Sequence, residues 1–389
     1  MTGEADMVRI DGGTVRMGSE DFYPEEGPVI ERQVDSFLMA RHAVTNRQFA
    51  EFVEATGYTT VAERPLAPAD FPGVDPEMLQ PGSLVFTPTR GPVDLRDWRQ
   101  WWRWEPGASW RHPHGPGSGV DGLEDHPVVQ VAFEDASAYA AWAGMRLPSE
   151  AEWEWAARGG LLGATYAWGE EPNDGTRANS WQGDFPYRNT GAKGWKGTSP
   201  VGSFPPNGYG LYDMTGNTWE WTGDYWSARH RVTTCQCSPG ESGRAAGTGS
   251  GERRPQRVLK GGSHLCAPEY CLRYRPAARS PETEDSATTH LGFRLARDLS
   301  LGSGVLGSPA GERPGRNARR GRASSRGGEI GADDSRSERC IVTWKRATAS
   351  SLDRRIVWPG RAQRRYWTWH ASPESPPPRS PRSFAVPTG

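Results

Sequence analysis

In the segment MVRIDGGTVRMGS, Val8 and Ile10 alternate with polar neighbours. Val15 and Met17 do the same after a break at Gly12-Gly13. That layout predicts a hairpin that opens a sheet. Beyond Pro28, the run VIERQVDSFLMARHAV carries two more short strand patterns. The period then changes. Thr45 stands three residues before Gln48, at the head of FAEFVEATG. This spacing makes a capping box, in which the hydroxyl accepts from a backbone N–H while the glutamine reaches back. It predicts a helix over 46–56 that Gly57 stops.

Residues 64–120 are rich in Pro and Gly and carry Trp98, Trp101, Trp102, Trp104 and Trp110 among Arg and His. Interleaved basic and aromatic residues can stack nucleobases. The acidic surroundings favour a long loop pinned by buried Trp instead, with no nucleic-acid partner. HPVVQVAF reads as a strand, and EDASAYAAWAG as a short helix ended by Gly144. A second capping box, Ser149 to Glu152, leads WEWAARGG into a helix that stops at Gly159-Gly160. Residues 160–230 return to Gly, Asn, Pro and Trp, so tertiary packing or bound ions must set their conformation. Two further strand-like runs cover 257–260 and 291–296. No repeat of fixed period is visible.

Composition divides the chain. Its 46 basic and 47 acidic side chains nearly cancel, which excludes a globally basic nucleic-acid binder. The first 300 residues hold 29 basic and 40 acidic side chains, and the remainder 17 and 7. Residues 1–299 are thus predicted to form the folded domain. Residues 300–389 form a basic, Pro/Gly/Ser/Arg-rich tail without hydrophobic periodicity, predicted to be disordered. Over the whole chain, 18 Trp offset a hydrophobic content of 35%. A loop-rich α+β fold held by aromatic packing is expected. No stretch approaches the ~18 apolar residues of a membrane span, and the N-terminus lacks a secretory layout. A soluble, cytoplasmic monomer is expected. Five Cys, an odd number, argue against a disulfide framework and point to reactive or metal-binding thiols.

Cys266 and Cys271 lie five positions apart in GGSHLCAPEYCLRYR. A helix turns such a pair about 140° apart, and a strand puts them on opposite faces. They converge only if residues 267–270 form a turn, which Pro268 favours. Gly261-Gly262 permits close backbone approach, while Arg273, Arg275 and Arg279 favour thiolate. Two convergent thiolates suit a soft monovalent metal or a redox disulfide. Structural zinc with Cys235 and Cys237 is a competing reading, against which the irregular spacing argues. Two unrelated buried Cys are a third. In GLYDMTGNTWEWTGDYW, Asp213, Asn217, Glu220 and Asp224 present hard oxygens of the kind calcium takes, or else a solvated acidic loop. No serine-hydrolase elbow or nucleotide-binding glycine motif occurs.

Six segments together carry a resemblance: MVRIDGGTVRMGS, RLPSEAEWEWAARGG, ANSWQGDFP, FPPNGYGLYDMTGNTWEWTGDYW, GGSHLCAPEYCLRYRPAARS and LGFRLARD. Over about residues 7–298 the chain resembles the formylglycine-generating enzyme, or sulfatase-modifying factor, family. The resemblance implies an irregular α+β fold related to C-type lectins. It implies a copper-dependent oxidase that uses dioxygen and a thiol reductant. The substrate would be the Cys of a C-x-P-x-R motif in an unfolded or nascent sulfatase, converted to Cα-formylglycine. Cys266 and Cys271 would hold Cu(I) as a near-linear dithiolate, with Ser263 as active-site serine. Trp219, Tyr270 and Arg279 would line the peptide groove, where His290 replaces an asparagine of some members. One calcium site would use Asp213, Gly216, Thr218 and Glu220. A second would use Asn179, Ser180 and Trp195, but Lys193 stands at its acidic position, so it is expected to be empty. The alternative on the same scaffold is a non-catalytic ligand- or peptide-binding module.

Overall fold

The computed structural model describes residues 6–230 and 255–299, apart from positions 71, 72, 74 and 76–78. Cys235, Cys237 and the predicted tail over 300–389 lie outside the described residues. The first strands are β1 (Met7–Ile10), β2 (Gly13–Met17), β3 (Ile30–Val34) and β4 (Phe37–Ala40). The predicted hairpin between β1 and β2 does not form. β1 pairs antiparallel with β4, and β2 pairs with β3. Gly12-Gly13 therefore carries the chain from one sheet into another. A Cβ on Gly12 would sit 2.5 Å from the Val34 carbonyl oxygen, so the crossing needs a glycine.

Helix α1 (Asn46–Thr56) begins at the predicted capping box. Thr45 Oγ1 accepts from Gln48 N, Gln48 Oε1 accepts from Thr45 N, and Gly57 closes the helix at φ 67°. The region predicted as one long loop contains a ribbon, β5 (Gly82–Phe86) against β6 (Trp102–Pro106). HPVVQVAF is not a strand. Its residues run irregularly, with Thr45 bridging Pro127, into α2 (Phe133–Trp142). Helix α3 (Glu150–Arg158) starts at the Ser149–Glu152 box.

The segment read as an irregular acidic loop instead supplies β7 (Trp219–Tyr225), the longest strand among the described residues. With β8 (Gln256–Lys260), β9 (Arg279–Thr283) and β10 (Leu291–Gly292) it builds a four-stranded sheet in the order β10-β7-β8-β9. The predicted strand over 291–296 divides, because β10 joins this sheet while β11 (Ala296–Asp298) pairs with β4. The composition hid β7: Gly and Asp interrupt its alternation, and its Trp-Glu-Trp run is buried throughout.

Three apolar clusters hold these pieces. One joins Phe49, Tyr139, Trp219, Trp221 and Phe293 to both cysteines. A second packs α3 through Trp153 and Ala157 onto β2, β3 and β4. A third gathers Trp101, Trp102, Trp181, Phe185 and Leu265. Large aromatic side chains bury 150–250 Å² each, which is how a chain with so little regular structure keeps a core. No helix among the described residues is long and apolar enough to cross a membrane. The architecture is a loop-rich α+β fold, as expected.

Candidate active site

The stretch after β8 turns back on itself twice. Gly262, at φ 68°, packs its Cα face against the Arg273–Tyr274 backbone, where a Cβ would meet three atoms at 2.8 Å. This contact closes the loop that carries both cysteines. Tyr270 N and Cys271 N both donate to the Ala267 carbonyl, at 3.0 and 2.6 Å, forming the turn required for convergence. The Cys266 and Cys271 sulfurs stand 2.9 Å apart, neither in a disulfide.

Ser263 N donates to Cys266 Sγ at 3.4 Å. A hydrogen bond from Cys266 brings Cys271 down to about 7, with the Arg273 guanidinium assisting against burial. Burial pushes Cys266 up, as does its bond to Cys271. The two sulfurs are thus driven in opposite directions, Cys271 toward thiolate and Cys266 toward thiol. Two convergent sulfurs beside a guanidinium fit a soft monovalent ion. The resemblance implies sulfurs in line across that ion. At 2.9 Å they stand instead as a hydrogen-bonded pair, and taking an ion in line between them requires them to part. Among the described residues, no group of three or more His, Cys, Asp or Glu could hold a metal ion.

The pair lies at a narrow notch of about 10 Å³, walled by Trp101, Trp102, Phe185, Trp219, Leu265 and Tyr270, with Ser263 and His290. That is room for about one water molecule. Tyr270 stacks on Phe185 with ring centroids 4.5 Å apart, and Trp101 meets Tyr270 edge-on at 5.4 Å. Ser263 Oγ and His290 Nδ1 share a hydrogen bond of 3.2 Å, and Trp102 packs on the imidazole at 4.9 Å. Leu265 N donates to the same hydroxyl at 3.2 Å.

The notch therefore unites Cys266, Cys271, Ser263, Trp219, Tyr270 and His290. It excludes Arg279, which was expected in the groove. That guanidinium is buried, donates to both oxygens of Glu150 and to the Glu25 and Ser227 carbonyls, and lies over Trp226. A buried carboxylate outcompetes an open cleft for a fixed cation. Sequence reasoning placed Trp101 and Trp102 in a pinned loop and did not assign them to the site. Their density near two other Trp was the available signal.

The first calcium set does not fit as expected. Both oxygens of Glu220 accept from Arg294, at 2.6 and 2.7 Å, and Oε2 also accepts from Trp153 Nε1. Arg294 supplies the positive charge there and faces the Tyr212 and Asp213 carbonyls as well. Asp213 Oδ2 accepts from Gly202 N. The backbone at Gly216 approaches Asn179 so closely that a Cβ would lie 2.5 Å from its carbonyl oxygen. In the second set, Lys193 Nζ donates to the Ser203 carbonyl at 2.8 Å and sits over Phe204. Trp195 is partly exposed against His126. Ser180 Oγ accepts from Asn173 and Gln182, whereas Asn179 Oδ1 is buried with no hydrogen-bond partner.

Residues 2–299 match the family described as the sulfatase-modifying factor enzyme 1-like domain. The formylglycine-generating enzyme of Mycobacterium tuberculosis is 60% identical over 298 residues, covering 75% of this chain and 98% of that protein. The formylglycine-generating enzyme of Thermomonospora curvata is 50% identical over 298 residues, with 75% and 93% covered. The inactive C-alpha-formylglycine-generating enzyme 2 of Mus musculus is 39% identical over 300 residues, with 75% and 85% covered. With its loop-rich α+β architecture and its match from end to end of the folded body, the chain belongs to the sulfatase-modifying factor enzyme 1-like family.

Proposed function

We propose that this protein oxidises the cysteine of a C-x-P-x-R segment in a sulfatase to Cα-formylglycine. The supporting observation is the Cys266–Cys271 pair converging at an aromatic notch. A cuprous ion on the pair would supply affinity for a third thiolate and one-electron reactivity toward dioxygen. The reaction balances when the substrate thiol, dioxygen and two reductant thiols give the aldehyde, hydrogen sulfide, water and the reductant disulfide.

The residues of this chain support that chemistry in separate ways. Room for about one water admits a thiol group and rejects rings, which suits the smallest reactive side chain. Such a narrow entry suits an extended segment, as in an unfolded or nascent polypeptide. The walls of Trp101, Trp102, Trp219 and Tyr270 exclude water and lower the local dielectric. Ser263, fixed by Leu265 N and His290, presents a hydroxyl at the wall, where it can orient the incoming sulfur. His290 behind it offers a site for the proton that this sulfur sheds. Two free thiols at the site suit a reducing compartment such as the cytoplasm.

The test is mass spectrometry of a synthetic C-x-P-x-R peptide after aerobic incubation with copper-loaded protein and a thiol reductant. Aldehyde formation is expected. An unchanged peptide that nevertheless binds would support the second reading, a non-catalytic peptide-binding module. The relative named inactive, on a scaffold 39% identical, gives that reading its motive.

A further inference from the structure

We infer that Glu269 is a specificity residue: its carboxylate, at the rim of the notch, pairs with the arginine of an incoming C-x-P-x-R segment. This rests on the peptide-oxidising reading proposed above.

Glu269 stands between the two cysteines, on the turn that brings them together. It is exposed, while the next residue, Tyr270, forms part of the notch wall. Glu269 Oε1 accepts from Phe185 N at 3.0 Å. Phe185 belongs to the same wall and stacks on Tyr270, so this hydrogen bond fastens the glutamate beside the stacked rings. Its Oε2 is left for a ligand. A side chain already held in place loses less freedom when it pairs.

The carboxylates beside the other aromatic walls have cations of their own. On the segment that carries Trp101 and Trp102, Asp94 pairs with Arg96, Asp97 with Arg99 and Glu105 with Arg103. Asp184, next to Phe185, pairs with Arg188, and Glu220, next to Trp219, pairs with Arg294. Glu269 has no ion-pair partner among the described residues. The cations that follow it in the chain are engaged elsewhere, Arg273 with Glu25 and Arg275 with Glu26. One carboxylate at the rim thus lacks a cation.

The motif brings one. Its Arg follows the reacting Cys by four residues, and an extended chain advances about 3.5 Å per residue, so this Arg leaves the main chain within about 14 Å of that Cys. Its long side chain then turns back to the rim. Glu269 is two residues from Cys271 and three from Cys266, well inside that span. A guanidinium offers a planar fork to a carboxylate and flat faces to aromatic rings. The rim presents a carboxylate and two stacked rings together.

The experiment uses the reduced, copper-loaded full chain with labelled C-x-P-x-R and C-x-P-x-Q peptides. Kd is read anaerobically by fluorescence anisotropy, and kcat/KM aerobically by mass spectrometry of the aldehyde. Wild type should favour the Arg peptide about fivefold, the upper end for an exposed ion pair, and added salt should erode that preference. Glu269→Gln, whose amide oxygen still accepts from Phe185 N, should lose the preference and bind the Gln peptide as wild type does. Glu269→Asp, one methylene shorter, should retain part of it, and Glu269→Lys should reverse it. An Arg/Gln ratio of Kd that Glu269→Gln leaves unchanged would overturn the inference. If that variant does not fold, an Arg preference kept by Glu269→Lys would overturn it. The expected Kd ratios without any aldehyde would remove the oxidase reading and still assign the arginine to Glu269.

Discussion

Arg279 grips both carboxylate oxygens of Glu150, at 2.7 and 2.9 Å, and so belongs to the packing beneath α3 and not to the notch. Lys260 and His230 stand farther from the same carboxylate, at 3.9 and 3.7 Å. Arg279→Met would leave Glu150 with these weaker partners in a dry interior. We expect a loss of about 3 kcal/mol, the lower end for breaking a buried pair, read by urea denaturation. The KM for a C-x-P-x-R peptide should not change in the folded fraction. A raised KM with unaltered stability would return Arg279 to the groove.

Cys266→Ser and Cys271→Ser should each abolish aldehyde formation and high-affinity Cu(I) binding, because one sulfur cannot replace two convergent donors. Both variants should keep the melting temperature within a few degrees, since the change is small. Retention of Cu(I) affinity in either would show that the ion sits elsewhere.

His290→Phe removes the partner of the Ser263 hydroxyl while keeping a ring against Trp102. The expected result is a fall in kcat of about 10²-fold, the lower end for losing a positioned proton-transfer group, with a smaller change in KM. His290→Asn should restore part of the rate by bonding Ser263 again. Equal kcat in all three proteins would confine His290 to packing.

Glu282 gives a pH signature. Burial pushes its carboxyl from 4.5 to about 8, although Ser286 and Thr283 N bond it. The folded protein then keeps a proton that the unfolded chain gives up near 4.5. The stability contribution is complete below 4.5 and is lost as pH rises through 8. Glu282→Gln should therefore gain melting temperature over wild type as pH goes from 5 to 9. A constant difference across that range would show that Glu282 ionises normally.

The Glu220–Arg294 pair makes a contrasting statement about calcium. Because the guanidinium already balances the carboxylate, a chelator should leave the melting temperature unchanged, and added Ca²⁺ should not raise it. Arg294→Met should cost about 3–5 kcal/mol and make stability respond to Ca²⁺. A chelator-induced drop in wild type would show that the ion displaces the guanidinium.

What could be read from the amino-acid order was local. The Thr45–Gln48 and Ser149–Glu152 boxes specify their helix starts because donor and acceptor are three residues apart. The Cys turn was legible for the same reason, as its partners span 267–271. Pairings across long separations were not legible. Gly12-Gly13 is equally compatible with a hairpin and with a change of sheet, and only the distant β4 decides. Arg279 finds Glu150 across 129 positions, and Tyr23 finds Leu272 across 249. The aromatic walls were visible as composition, but their gathering around two sulfurs depends on β5–β6 and β7 meeting in space.

One strand, β4, takes β1 on one edge and β11 on the other. The first and last strands described are thus zipped to a common template, and the last of these residues to be made are 296–298. A ribosome must finish almost the whole body before that edge is filled. A nascent chain halted after Cys271 would own both sulfurs and still lack His290 and the closing strand, so the site is complete only once nearly the whole body has been made.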